Sequence, residues 1–154
     1  VSVEIERKFL VRVDALPPEA RTGGARFEQG YLSLEPAVRV RASEENGVGR
    51  AWLTIKGPGK IERLELEYEI PIADARALLP MCKAVLTKIR RTVTVGKHVW
   101  EIDEFTGAHA GLWLAEIELR APDEPFERPV WIGDEVSDDE RYANAALARA
   151  GRAP

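Results

Sequence analysis

A single cysteine, Cys82, stands in the whole sequence, so no disulfide can form within the chain. That excludes the disulfide-stapled secreted scaffolds and points to a reducing, cytoplasmic setting. A lone thiol of this kind is expected to pack as a small buried residue. No apolar run approaches the roughly 20 residues that a membrane-spanning helix needs. Nothing resembles a signal peptide, and repeats, low-complexity tracts and domain linkers are missing. The two histidines, His98 and His109, fall in expected turns without metal-ligand spacing and are expected to be solvated. An excess of basic residues is missing too: 22 Lys and Arg stand against 26 Asp and Glu, a net charge of −4. That argues against a broad nucleic-acid surface but leaves room for a local basic pocket.

What is present is a chain of 154 residues with a 31% charged fraction. The length suits one domain, residues 1–154, with one real core. Period-2 alternation dominates, the mark of β-strands with two unlike faces. Strands are expected over 2–13, 26–34, 37–44, 50–56, 61–71, 84–95, 98–105 and 112–120. Asn46-Gly47 is a strong hairpin signal, and Gly57-Pro58-Gly59 and Gly96-Lys97 are turns. A short helix is expected over 73–79, stopped by Pro80. Ser137-Asp138-Asp139-Glu140 reads as a capping box opening a helix to about Arg149. Eight strands in sequential antiparallel hairpins point to a closed barrel or a sandwich.

The charged faces carry the chemistry. Glu4, Glu6 and Lys8 share one side of the first strand, opposite Val3, Ile5, Phe9 and Val11. Arg39 and Arg41 repeat the pattern, as do Lys56, then Arg63, Glu65 and Glu67, then Lys88 and Arg90. Glu101 and Asp103 follow, and then Glu116 and Glu118. On one strand alone, such a face is usually a solvated surface. On nearly every strand, with eight acids against seven bases, that reading weakens: the charges either face water around a small apolar barrel or face inward with the apolar side packed by helices and loops. An interior of about eight strands is one that side chains just fill. Carboxylates bind hard cations such as Mg²⁺, and Lys and Arg bind phosphate. A strand presenting both suits a site for a metal-bound polyphosphate.

The ordered set resembles the CYTH superfamily, the triphosphate tunnel metalloenzymes. Glu4-x-Glu6-x-Lys8 is similar to the family's N-terminal signature. The similarity continues through Gln29-Gly30-Tyr31-Leu32, Arg39-x-Arg41, Thr54-Ile55-Lys56-Gly57 and Arg63-x-Glu65-x-Glu67. It ends with Lys88-x-Arg90, Glu101-x-Asp103, Glu116-x-Glu118 and the Trp131-x-Gly133-x-Glu135-Val136 tail with its later Arg141-Tyr142-x-Asn144. The resemblance implies a mainly β fold: a closed eight-stranded antiparallel β-barrel forming a charged tunnel, with a few short flanking helices. It implies divalent-metal-dependent hydrolysis of the terminal phosphoryl group of a triphosphate, inorganic tripolyphosphate first. A class IV-type adenylate cyclase, a thiamine or nucleoside triphosphatase and a non-enzymatic polyphosphate-binding module are the alternatives. The cofactor implied is Mg²⁺ or Mn²⁺, held by Glu4, Glu6, Glu116 and Glu118, with Glu67 and Asp103 for a second ion. Lys8, Arg39, Arg41, Lys56, Arg63, Lys88 and Arg90 form the implied substrate-binding set. Glu4, Glu6, Lys8 and Glu118 form the implied catalytic set. Glu65 and Glu101 are read as carboxylates that hold arginines in place. Some relatives place a lysine near the tunnel from a C-terminal helix; Ala143 and Ala145 stand in that region here.

Overall fold

The computed structural model describes residues 2–154. Nine strands run in one antiparallel sheet: β1 (Ser2–Val11), β2 (Ala25–Leu34), β3 (Ala37–Glu45), β4 (Val48–Lys56), β5 (Glu62–Ile70), β6 (Ala84–Val95), β7 (His98–Thr106), β8 (Trp113–Glu118) and β9 (Ile132–Glu135). Two helices accompany them, α1 (Ile72–Leu78) and α2 (Asn144–Ala150). The order β5-β4-β3-β2-β6-β7-β8-β1 closes through a β1–β5 pairing, so eight strands make the barrel and β9 is an addition. The β3–β4 turn uses Asn46 and Gly47 at φ 52° and 77°, the left-handed pair that a tight hairpin requires.

The alternation places charge inward and apolar side chains outward, so the barrel's core lies outside it. Phe9, Trp100, Ile102, Ile117 and Leu119 cover the outer face of β1, β7 and β8, and pack with Leu16, Ala20 and Trp131 from the connecting segments. Trp100 meets Phe9, Phe126 and Trp131 edge to face. Val40 and Ala51 on β3 and β4 pack with Ala75 of α1 and with Leu79 just beyond it. The third cluster lies inside, where α2 closes one end of the barrel: Leu147 packs with Tyr31, Leu86, Phe105 and Leu114. At the opposite end the inward-facing Thr92, Thr94, Val99 and Glu118 are exposed. The tunnel therefore has one open mouth and one plugged end.

Several details differ from the sequence-based expectation. The stretch from Ser137 forms no long helix. Ser137 Oγ instead accepts from the Lys8 backbone N–H at 2.9 Å, and Asp139 caps a single 3₁₀ turn over Glu140–Tyr142. The expected cap, Ser137, is taken by tertiary pairing with β1, and the short turn is capped two residues later. Strand β9 was not expected; it covers one edge of β1, with Val136 N donating to Lys8 O. Neither histidine is solvated: His109 is buried, its Nε2 at 2.6 Å from Leu147 O, and His98 lies 2.5 Å from Glu124. Cys82 is only half-buried, against Gly30.

Leu147 is fully buried and holds the plug. Leu147→Ala should lower the unfolding free energy by about 2–5 kcal/mol. The change should read as a lower denaturant midpoint at constant slope.

Candidate active site

Strand register builds the site by bringing like side chains into adjacent rows. Lys8 stands opposite Glu116, and Glu6 opposite Glu118. Glu116 in turn stands opposite Glu101, and Asp103 opposite Arg90. On the other side Arg39 neighbours Thr54, which neighbours Glu67. Every residue expected to line the tunnel sits on an inward face. The walls are unlike: β1, β7 and β8 supply most of the carboxylates, while β3 supplies Arg39 and Arg41 and β4 supplies Lys56.

Three carboxylates converge on the acidic wall. Oxygens of Glu6, Glu101 and Glu116 lie within 4.8 Å of one another. Burial, together with the neighbouring Glu116 and Glu4, pushes the Glu6 carboxyl up to about 8. Three acids this close lack a full complement of cations, and oxygen donors in that arrangement suit a hard divalent ion. The donor set therefore fits a metal. Of the six ligands expected, the structure brings Glu6 and Glu116 into this cluster. Glu4 is engaged elsewhere, 2.9 Å from Lys56 and 3.7 Å from Arg63. Asp103 is saturated by Lys88 and Arg90, both at 2.7 Å. Glu67 lies 3.8 Å from Arg39. Glu118 sits exposed at the mouth with no cation partner among the described residues. Glu101, read as an arginine holder, both pairs with Arg90 at 2.7 Å and joins the cluster.

Arg90 organises the centre. It reaches Asp103, Glu101 and, at 3.7 Å, Glu116. Burial would raise the Asp103 and Glu116 carboxyls, but Arg90 and their lysine neighbours hold both below the usual range. Lys88 is almost fully buried, bonded to Asp103 and to Asn144 of α2. Burial, with Arg90 and Arg41 nearby, brings Lys88 down to about 7 despite Asp103.

The basic wall is less well matched. Arg41 donates to Gln29 Oε1 at 3.0 Å and lies over the Phe27 ring, with no ion pair to a carboxylate among the described residues. Burial and the positive charges of Arg39 and Arg90 bring Arg41 down to about 9. Arg39 is 8% exposed, and its Nε is buried without a partner. Two cations facing the cavity without full compensation make an anion site.

Gln29 and Asn144 belong to the site, and both lie in motifs of the resemblance, though neither was assigned a role there. Asn144 Oδ1 accepts from Lys88 Nζ at 2.9 Å and from Gln29 Nε2 at 3.1 Å. The motif marks Asn144 but not its role, because its contacts depend on where α2 docks. Trp52 turns inward toward the mouth, opposite Arg41, with Arg50 over its ring.

A carboxyl raised from 4.5 to about 8 binds a proton in the fold that the unfolded chain has released. Stability of the metal-free protein should therefore fall as pH rises through that window. Thermal melts across it should show the slope, and Glu6→Gln should flatten it.

The sequence matches the CYTH domain over residues 2–146. An inorganic triphosphatase of Acetivibrio thermocellus is 42% identical over 151 residues, covering 95% of this chain and 93% of that protein. An inorganic triphosphatase of Nitrosomonas europaea is 33% identical over 156 residues, covering 94% and 96%. Among solved structures, that of an inorganic triphosphatase superposes with a TM-score of 0.64 at 31% identity, covering 96% of this chain and 95% of the other.

Proposed function

Because the chain belongs to the CYTH family, we propose that it is a metal-dependent hydrolase that removes the terminal phosphoryl group of inorganic triphosphate. The observation that carries this reading is the two-walled tunnel. Under-compensated Arg39 and Arg41 face a cluster of three carboxylates, and a metal–triphosphate complex has charges of both signs in that order. The curated relatives named inorganic triphosphatase support the choice of substrate.

Arg39 and Arg41 grip phosphoryl oxygens through paired N–H groups, the geometry in which guanidinium excels. Lys8, Lys56, Lys88 and Arg90 supply further positive charge around the chain of phosphates, and Arg63 stands beside Glu4. Glu6, Glu101 and Glu116 would hold Mg²⁺ or Mn²⁺, with Glu4 and Glu118 flanking them on the mouth side. Glu67 and Asp103 lie farther round the wall. When bound, the metal neutralises charge on the phosphoryl oxygens. The attacking water needs a carboxylate to orient it and take its proton. Glu118, without a cation partner, is the one free to accept that hydrogen bond. Inward packing by α2 limits water at the plugged end. The cytoplasm, where the lone thiol would stay reduced, is part of the same proposal.

The test is phosphate release from inorganic triphosphate, diphosphate, ATP and thiamine triphosphate, with each metal, alongside an assay for cyclic AMP. Turnover should be highest with inorganic triphosphate and abolished by chelation. No release from any substrate with either metal overturns the reading. Arg39→Met should lower kcat/KM about 10–100-fold, the loss of a charge-assisted contact.

A further inference from the structure

Strand β1 gives one edge to two different neighbours. Residues Ser2–Ile5 pair with β5, and the last bond on that side is Glu6 N to Ile61 O. From Lys8 onward the same edge belongs to β9 and Ser137. Among the described residues β5 and β9 do not pair with each other. A gap is left in the barrel wall between the β4–β5 loop and the segment after β9. A cavity of about 140 Å³ occupies it, lined inside by Glu6, Lys8 and Arg63 and outside by Lys60, Ser137 and Glu140.

Three cations step through this gap from the tunnel to the surface. Their carboxylate partners all stand off: Lys8–Glu116 at 3.5 Å, Arg63–Glu4 at 3.7 Å and Lys60–Glu140 at 3.9 Å. The structural pairs around Asp103 close to 2.7 Å by contrast. Lys8 and Lys60 are positioned by carbonyl oxygens, Tyr142 O at 3.0 Å and Asp138 O at 3.3 Å, which leaves their charges uncancelled for an anion to pass along. Asp139, also on the rim, is neutralised by Arg141. The plugged end offers no other way out, and a diphosphate in the tunnel would obstruct the mouth.

We propose that this gap is a side port through which orthophosphate leaves, with Lys60 as its outermost cation. The proposal rests on the triphosphatase reading. It predicts that the two products depart by separate routes, diphosphate by the mouth and orthophosphate through the wall.

Lys60 is half exposed and outside the substrate-binding set, so it can be reversed in charge without touching the chemistry. In Lys60→Glu, stopped-flow detection with a phosphate sensor should show orthophosphate release slowed about tenfold, within the range that local charge imposes on ion transit. Quench-flow measurement of bond cleavage in the first turnover should be unchanged. Adding Glu140→Lys restores the pair with its charges exchanged and should restore release. Release that keeps pace with cleavage in Lys60→Glu overturns the port. So does a cleavage rate that falls together with release. Absence of cleavage by the unaltered protein would instead overturn the functional reading itself.

Discussion

Charge taken out of water inside a β-barrel must be balanced, and the rest of this structure follows from that requirement. Arg90 shows how tightly the balance is drawn, since one guanidinium serves Asp103, Glu101 and Glu116. Removing any one of these carboxylates would leave a buried cation short of its partner. Yet the balance holds only over the whole tunnel. Along β1, β7 and β8 carboxylates exceed what the nearby cations satisfy, and along β3 the arginines exceed the carboxylates. The protein keeps two opposite local imbalances facing each other, and a bound ion pair of matching order would relieve both.

Such an interior cannot supply the hydrophobic stabilisation of an ordinary core, because the apolar face points the other way. The connecting segments and α1 therefore cover the outside of the barrel. The aromatic cluster of Phe9, Trp100, Phe126 and Trp131 does there what a central core does elsewhere. The division separates two demands that compete in most enzymes. Packing can be adjusted on the outer faces without moving the inner charges, since side chains alternate along each strand. Only at the plugged end do the two meet, where Leu147 is apolar core and Asn144, three residues earlier on α2, touches Lys88.

Much of this was legible in the sequence because the period of a strand is short and strict. Charges two residues apart must share a face, so the inward rows from Glu4 to Glu118 could be read strand by strand. Near-equality of acids and bases then suggested that the rows face one another. What could not be read depends on long-range docking. Glu101 looked like an arginine's partner, and is one, but its further neighbour Glu6 is brought near only by the pairing of β8 with β1, remote in sequence. The four residues of β9 carry too little alternation to announce a strand. Ser137 offered a helix cap by local rules and was claimed instead by the backbone of Lys8. The buried histidines follow the same logic, since each is covered by a segment remote in sequence.

The divided edge of β1 bears on how the molecule comes to be folded. Strands β2 to β5 form a meander of neighbours that can pair as each one appears. Beyond Ile5, strand β1 cannot be seated that way: its partners there include Ser137, 129 residues from Lys8. Contacts of such separation carry a large loop-closure entropy and slow the search for the native topology. On a growing chain the start of β1 could pair with β5, but the stretch from Glu6 onward would be placed only with the late strands. Glu6 and Lys8 would stay in water until β8 and β9 had emerged, so the charged tunnel would be sealed in one late step.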